Sequence, residues 1–598
     1  MRTSFRPVFV VAVVALWAVI YVAAMFTPAL LDDADTVHAE AAREMLVRHD
    51  WVTLYVNGIR YLEKAPVMYW GMAASYKIFG ISDWSTRLPL VLGILLWLLA
   101  VYALGRYAYG ERAGFYSAVV LATSVGPYLY TRFLIPDALV GLWLTITFYF
   151  FLKSLEEDRP SRLSCWGMAA ACALNVLTKG LIGLVFPIGV IGLYLILTGN
   201  LRHLLRLRLL SSTVVLLIIA APWHILAALR NPDQGAARGF LWFYFVNEHF
   251  LRYLNKRVPP GYDTVPLFLF WGLLILWLVP WSIFLPQAAA EVPWRWRQLR
   301  SPLDRRQRAN LLFGLWALFI VVFFSFSTRQ EYYTIPALPA MALLVGSWLV
   351  KESEEPAGSR GRRAGRISSL VLLVIAVAGA IVGTTLLFLS HPPAPGTELV
   401  DLLKKNPTEY NLSLGHFLDL TPQALGAFRG PLLGAVLSLL LGAVLNWLLR
   451  RRGHARAGNA ALALMMVGLL ACVHSAYVTF SPILSSHKLA VVIDQHYRPG
   501  DTLVMDEEFS KGSSLNFYTH HTVHVLHPPS GVLWYGSKFP DAPQVMETQS
   551  TFSAMWAGTH TVFLWTEQSN PAELQGMPRY LLARSGGKSI LTNRDLNH

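Results

Sequence analysis

The sequence predicts a polytopic α-helical membrane protein with a small α/β domain after its last span. Three observations carry this reading. Hydrophobic residues make up 54% of the 598 positions and charged residues only 14%, whereas soluble domains carry about 25% charge. Long apolar runs recur over the first 480 positions. Lys and Arg gather in alternate segments between those runs. This composition excludes an ordinary soluble enzyme and a disordered chain. The net charge of +14 reads as a membrane-topology signal rather than a polyanion-binding patch, so no nucleic-acid partner is expected.

A spanning helix needs about 20 predominantly apolar residues. Thirteen windows qualify, near 8–27, 88–105, 113–131, 134–152, 163–178, 180–198, 210–229, 264–287, 311–328, 333–350, 368–390, 430–449 and 458–480. The first is too long for a signal-peptide core and no small-residue cleavage site follows it, so it is expected to stay as a span. With the N-terminus in the cytoplasm, the inside segments are 1–7, 106–112, 153–162, 199–209, 288–310, 351–367 and 450–457. These 83 residues hold 25 of the 50 Lys and Arg, which sets the orientation.

Thirteen spans then put the C-terminus outside. The expected division is a membrane domain, 1–482, with outer loops at 28–87 and 230–263, and an outer domain, 483–598. In the latter, apolar runs such as Thr502–Met505, Val523–Leu526 and Thr561–Trp565 alternate with turn residues, predicting a small mixed α/β unit. A further outer loop, 391–429, holds Asn411-Leu412-Ser413, which fits a glycosylation sequon and means nothing if the protein is bacterial. No internal repeat is visible.

Cys165, Cys172 and Cys472 sit in apolar runs, where free Cys behaves as a small hydrophobe; they form neither a disulfide framework nor a zinc motif. In His520-His521-Thr522-Val523-His524-Val525-Leu526-His527 a strand divides the histidines between two faces, so a solvated strand is expected there. No residue is assigned to a metal, no cofactor is implied, and a divalent-metal requirement is not readable.

Ionisable groups at a membrane surface are functional candidates by default, and the outer side collects many. Asp32-Asp33-Ala34-Asp35 follows the first span. One Asp there serves as a helix N-cap, but three exceed that need. Glu63-Lys64 lies in the same loop. Arg132 and Asp137 flank a tight outer turn. Lys179 falls between two apolar runs. Asn247 to Arg257, including His249 and Arg252, is basic and aromatic against the positive-inside bias. Tyr332 and Tyr333 occupy another short outer turn.

Each group has a plain structural role available: capping, an Arg132–Asp137 pair, snorkelling lysines, interfacial tyrosines. Together they place carboxylates and cations at one membrane face. Arg forks and Lys point charges suit a phosphate, apolar grooves suit a lipid tail, and a nearby carboxylate suits proton abstraction. The residues point to an enzyme using a lipid-linked phosphate substrate at the outer face.

In order, these segments resemble the polyprenyl-phosphate-sugar-dependent glycosyltransferases of GT-C architecture. The resemblance is to the bacterial aminoarabinose-transferase (ArnT) branch and, more distantly, the protein O-mannosyltransferases. It rests on Asp32-Asp33-Ala34-Asp35 leading into Ala39-Glu40-Ala41-Ala42-Arg43-Glu44-Met45, Asp50-Trp51, Asn57-Gly58, Tyr61-Leu62-Glu63-Lys64-Ala65-Pro66, Arg87-Leu88-Pro89, Arg132-Phe133-Leu134-Ile135-Pro136-Asp137, Leu177-Thr178-Lys179-Gly180, Asn247-Glu248-His249 and Tyr333-Thr334-Ile335-Pro336. It covers about residues 30–345; beyond 350 the likeness is one of architecture, a thirteen-span protein with an outer C-terminal domain.

The resemblance implies a GT-C fold in the bacterial inner membrane and inverting transfer, on the periplasmic face, from an undecaprenyl-phosphate sugar. The acceptor would be a lipid A-like glycolipid, a polysaccharide or a protein. By position Asp33 or Asp35 would be the catalytic carboxylate. Lys64, Arg252 and Tyr333 would hold the donor phosphate, while Glu63, Arg132, Asp137, Lys179 and His249 would line the cavity. One departure stands out: Val37 and His38 occupy the places where this branch has an Arg and a Tyr before the Ala-Glu. The rival reading is a transporter or flippase of lipid-linked sugars, which would favour repeated halves and midplane polar residues.

Overall fold

The computed structural model describes residues 6–596 apart from 262–263, 300, 395, 405–418 and 527–530. The Asn411 sequon and His527 therefore lie outside the described residues. The chain is mainly helical. The first span begins as α1 (Pro7–Trp17) and continues through tighter and wider turns to Met25. The first outer loop folds into α2 (Ala34–Val47), a two-strand hairpin of β1 (Tyr55–Val56) and β2 (Ile59–Arg60), and α3 (Val67–Phe79). Its turn is Asn57-Gly58, both at positive φ, the residue pair that a tight hairpin demands.

The membrane part continues with α4 (Asp83–Tyr109), α5 (Glu111–Ala122), α6 (Val125–Arg132), α7 (Asp137–Ser154), α8 (Arg162–Lys179), α9 (Ile182–Leu197) and α10 (Leu209–Arg230). It resumes with α11 (Leu267–Trp277), α12 (Leu285–Ala290), the short α13 (Trp296–Leu299), α14 (Arg305–Ser325), α15 (Leu338–Glu354), α16 (Arg360–Leu389), α17 (Arg429–Arg451) and α18 (Ala455–Leu484). Among the described residues nine helices are long and apolar enough to cross a membrane, or ten when the pair around Val279-Pro280, bent by 96°, counts as one.

The three other predicted windows are helical but shorter or more polar. Residues 113–131 break at Ser124, where the Thr123 and Ser124 hydroxyls donate back to the carbonyls of Val119 and Val120. The α8 helix carries Ser164, Asn175 and Thr178 among its buried residues, and α9 has 16 residues between Gly180 and Gly199. Small residues set the tightest packing, as they do in membranes. A Cβ on Gly114 would stand 2.4 Å from the Tyr102 carbonyl oxygen of α4.

After α18 come α19 (His487–His496) and α20 (Ser514–Thr519). They pack on a five-stranded mixed sheet of β3 (Thr502–Met505), β4 (Val523–Val525), β5 (Val562–Thr566), β6 (Tyr580–Ser585) and β7 (Lys588–Thr592), in the order β4-β3-β5-β7-β6. Strand β3 runs parallel to β4 and β5, while β7 is antiparallel to β5 and β6. One face, with Leu503, Met505, Phe563 and Trp565, joins the main core; the other, with Val504 and Leu564, packs on Phe552 and Trp556.

The sheet domain is fastened to the outer loops. The Asn57 amide donates to the Val523 carbonyl at 2.7 Å and accepts from its N–H at 2.9 Å, closing the free edge of β4. The Tyr535 ring stacks on Phe243 at 3.6 Å, and Arg60 pairs with Asp541 at 2.6 Å. The histidine-rich stretch does not make one strand. His520 ends α20 in a left-handed conformation, His521 stacks on Tyr497 at 3.7 Å, and His524 pairs with Glu547 at 2.7 Å.

Candidate active site beneath the sheet domain

The three acidic residues after the first span have three different fates. Asp32 is committed to the sheet domain. Its carboxylate accepts from Lys588 Nζ at 2.7 Å, from the Ser514 N–H at 2.8 Å and from the Ser486 hydroxyl at 3.3 Å. Asp35 is fully buried at the start of α2. It accepts from the Leu134 N–H at 2.9 Å and the Leu31 N–H at 3.3 Å. Burial, partly offset by Arg87, pushes its pKa up to about 6. Asp35 thus ties the entry to α2 to the turn before α7.

Asp33 is only half-buried and precedes α2 at φ 64°, ψ −115°. A non-glycine residue with positive φ persists only where its surroundings enforce it. Here the sheet domain does so. The Asp33 N–H donates to the Ser510 carbonyl and to the Ser513 hydroxyl, both at 2.9 Å. The Ser513 and Thr36 hydroxyls share a further hydrogen bond of 2.8 Å. Asp33 lies close enough to Tyr61 to influence its hydroxyl electrostatically.

Three buried rings, His38, Tyr61 and Tyr69, adjoin this loop and Glu63-Lys64. His38 Nδ1 is 2.8 Å from the Tyr69 hydroxyl, and the His38 ring lies 6.3 Å from that of Tyr61. Burial, reinforced by Lys64, drives the His38 pKa down to about 3, so the imidazole is neutral. His38 therefore fills space and offers a hydrogen bond, where an Arg or Tyr would add charge or a hydroxyl.

Beyond the rings a charged cluster assembles from four separate segments. Glu63 accepts from Arg257 at 2.7 Å and meets Lys64 at 3.7 Å. Glu248 takes Arg257 at 2.6 Å and Arg252 at 3.1 Å. Lys179 donates to Asp137 at 2.5 Å, its ammonium 5.1 Å from each of the Tyr332 and Tyr333 ring centres. Arg252 is within electrostatic reach of Tyr333, Glu63, Lys64 and Lys179. Four cations thus face three carboxylates. Among the described residues Lys64 meets a carboxylate only at the loose 3.7 Å distance, and burial lowers its pKa. Lys64 has the longest ion pair of these four cations, which makes it the member best placed to take a further anion.

His249 supports this cluster from behind. Its Nε2 accepts from the Leu181 N–H at 3.1 Å, and its Nδ1 is 2.6 Å from the Tyr244 carbonyl oxygen. It thus fixes the turn that ends α8 at Lys179. Gly180 in that turn has φ 79°, and a Cβ there would fall 2.0 Å from His249 Nε2.

Of the sequence-derived candidates, Glu63, Lys64, Asp137, Lys179, His249, Arg252 and Tyr333 come together. Arg132 does not join them: it ends α6, donates to the Ala24 carbonyl and faces Tyr128. Nor does it pair with Asp137, which Lys179 takes. Glu248 and Arg257 were not singled out as site residues, although both lie in the basic outer segment; their signal was a carboxylate and a cation flanking His249 and Arg252.

Comparison with known proteins bears on the fold that carries this site. Residues 63–225 match the family model described as dolichyl-phosphate-mannose-protein mannosyltransferase. The chain is 28% identical over 375 residues to undecaprenyl phosphate-alpha-4-amino-4-deoxy-L-arabinose arabinosyl transferase 2 of Pseudomonas fluorescens, covering 62% of this chain and 60% of that protein. It is 27% identical over 342 residues to the corresponding transferase of Yersinia enterocolitica, covering 56% and 57%. These matches span about three-fifths of the relatives' length. The crystal structure of ArnT from Cupriavidus metallidurans bound to undecaprenyl phosphate superposes with a TM-score of 0.78 at 23% identity, over 99% of this chain and 98% of that one. The chain therefore has the polytopic helical GT-C fold of the ArnT crystal structure, with a small sheet domain at its C-terminal end.

Proposed function

We propose that the protein is an inverting glycosyltransferase that moves a sugar from an undecaprenyl-phosphate donor to an acceptor at the membrane face bearing the sheet domain. The observation that carries this reading is that the half-buried Asp33 and the cluster members Glu63 and Arg257 all lie within electrostatic reach of the one Tyr61 hydroxyl, so a carboxylate and a set of cations share one site. Lys64 and Arg252, with the Tyr333 hydroxyl, bind the donor phosphate. Glu63, Asp137, Lys179 and His249 shape the cluster and fix its charges. The acceptor oxygen attacks the anomeric carbon as the bond to the phosphate oxygen breaks. The acceptor proton passes to the Asp33 carboxylate, and undecaprenyl phosphate leaves with its charge matched by the fixed cations.

Asp35 has a structural part, because both carboxylate oxygens are already engaged by backbone amides. The names of the arabinosyl transferases support a polyprenyl-phosphate-linked sugar as donor. The acceptor class is a glycolipid of the lipid A kind, a polysaccharide or a protein. The Lys and Arg asymmetry supports an inner-membrane protein with a cytoplasmic N-terminus, a membrane domain at 1–482 and a periplasmic domain at 483–598. The test is reconstitution of the purified protein with radiolabelled polyprenyl-phosphate sugars and bacterial envelope lipids. Time-dependent release of undecaprenyl phosphate supports transfer; transbilayer movement of intact donor without release overturns it and leaves a flippase.

A further inference from the structure

We propose that Arg257 is a positioning residue for the donor site: its guanidinium holds the carboxylates of Glu63 and Glu248, and so keeps their other partners, Lys64 and Arg252, available to a phosphate. The inference rests on the donor reading above and adds a residue to it.

Arg257 reaches both carboxylates with one fork. Its Nη2 donates to Glu63 Oε1 at 2.7 Å and its Nε to Glu248 Oε1 at 2.6 Å. The second oxygen of each carboxylate serves a different cation. Glu63 Oε2 lies 3.7 Å from Lys64 Nζ, and Glu248 Oε2 accepts from Arg252 at 3.1 Å. These groups form one chain of alternating sign, Lys64–Glu63–Arg257–Glu248–Arg252. Arg257 stands at its centre and the two donor-site cations at its ends. For both carboxylates the shorter contact belongs to Arg257. The side chains of Glu63, Glu248 and Arg257 are 8%, 3% and 13% exposed, so water and salt screen these pairs little.

The backbone holds Arg257 in that place. Asn247 is fully buried, and its amide donates to the Val258 carbonyl at 2.8 Å and accepts from the Val258 N–H at 2.9 Å, fixing the residue next to Arg257. A planar fork can serve two carboxylates at once, whereas the Lys ammonium is a point charge. Without the fork, Glu63 would close on Lys64 and Glu248 on Arg252. A phosphate would then have to displace a carboxylate from each cation before binding it.

The test is titration of the purified full-length protein with undecaprenyl phosphate, and with undecaprenol as the neutral control, by native mass spectrometry. The variants are Arg257→Gln, Arg257→Lys, Glu63→Gln, and Glu63→Gln combined with each Arg257 change. Arg257→Gln should weaken undecaprenyl phosphate binding about tenfold, the scale of a lost hydrogen bond to a charged group, and Arg257→Lys should recover part of it. Glu63→Gln should strengthen binding far more in the Arg257→Gln background than in wild type, a departure from additivity of about fivefold or more. The Arg257→Lys pair should show the same sign with a smaller departure. Equal factors in all backgrounds would overturn the proposal, because Arg257 would then act only as one more positive charge. So would wild-type affinity in Arg257→Gln, or a loss that Glu63→Gln does not relieve, which makes Arg257 a direct phosphate ligand or a purely structural residue. If wild type binds undecaprenyl phosphate no better than undecaprenol, the donor reading falls and this inference with it; phosphate-selective binding with additive variants overturns this inference alone.

Discussion

Replacing Ser513 with Ala should slow catalysis without weakening donor binding, although Ser513 belongs to the sheet domain and lies 480 positions from Asp33. The Ser513 hydroxyl accepts from the Asp33 N–H at 2.9 Å and bonds the Thr36 hydroxyl at 2.8 Å. At about 0.5–1.5 kcal/mol net per hydrogen bond, the substitution removes about 1–3 kcal/mol of restraint. That restraint works against backbone strain, which is of order 1–3 kcal/mol for a residue in a sparsely populated region. The Ser510 carbonyl remains, also at 2.9 Å, so Asp33 is loosened rather than released. If the reactive placement loses about 1.4 kcal/mol, kcat falls about tenfold. The Lys64 and Arg252 cluster is untouched, so the donor KM should stay within about twofold of wild type, as expected when an interaction acts only in the transition state. Ser513→Thr keeps the hydroxyl and should restore most of kcat. The assay is steady-state release of undecaprenyl phosphate from a labelled donor. A wild-type kcat in Ser513→Ala, or a raised KM with kcat intact, would show that the sheet domain does not hold Asp33 for catalysis.

Other outcomes follow from the same geometry. Lys64→Ala should raise the donor KM by about 10–100-fold, the scale of a lost charge-assisted hydrogen bond, measured by titrating donor at fixed acceptor. Gly180→Ala should abolish most activity while leaving the protein in the membrane, because a Cβ there meets His249 Nε2 at 2.0 Å and displaces Lys179; His249→Ala in the same background should recover part of it. Burial raises Asp35 to about 6, above its unfolded value of about 3.9. Its protonated form is therefore favoured in the native state, and this stabilisation is full below pH about 4 and lost as pH rises through 6. Thermal unfolding should show Tm declining over that interval, with a flatter decline in Asp35→Asn.

The helical architecture was legible because apolar runs and the Lys and Arg asymmetry are local properties of the chain. Where the windows and the helices differ, a local cause is visible. Ser124 interrupts one run through hydroxyls that bond back to the preceding turn, and Val279-Pro280 bends another. The cluster was legible as a set of residue types but not as a set of pairs. Lys179 chose Asp137, and Arg132 turned instead to a carbonyl of the first span. From sequence alone Asp33 and Asp35 were equivalent; burial separates them, and burial depends on the turn at Leu134, about a hundred residues away.

The part played by the sheet domain was the least legible. The Asp32–Lys588 pair links positions 556 apart, and nothing in either neighbourhood announces the other. Composition predicted a small domain but could not show that it would hold the backbone of the first outer loop. Glu248 and Arg257 do not stand out in the sequence, because a carboxylate inside a basic aromatic segment resembles ordinary charge balance until its partners are known.

Whether Asp33 rather than Asp35 takes the acceptor proton is tested most directly by single-turnover kinetics of Asp33→Asn and Asp35→Asn with donor prebound. Asp33→Asn is expected to bind donor normally and to lose transfer by about 10²–10⁴-fold, the range for removal of a general base, while Asp35→Asn retains the greater part of the rate. Rapid transfer by Asp33→Asn, or a collapse confined to Asp35→Asn, would contradict the assignment to Asp33.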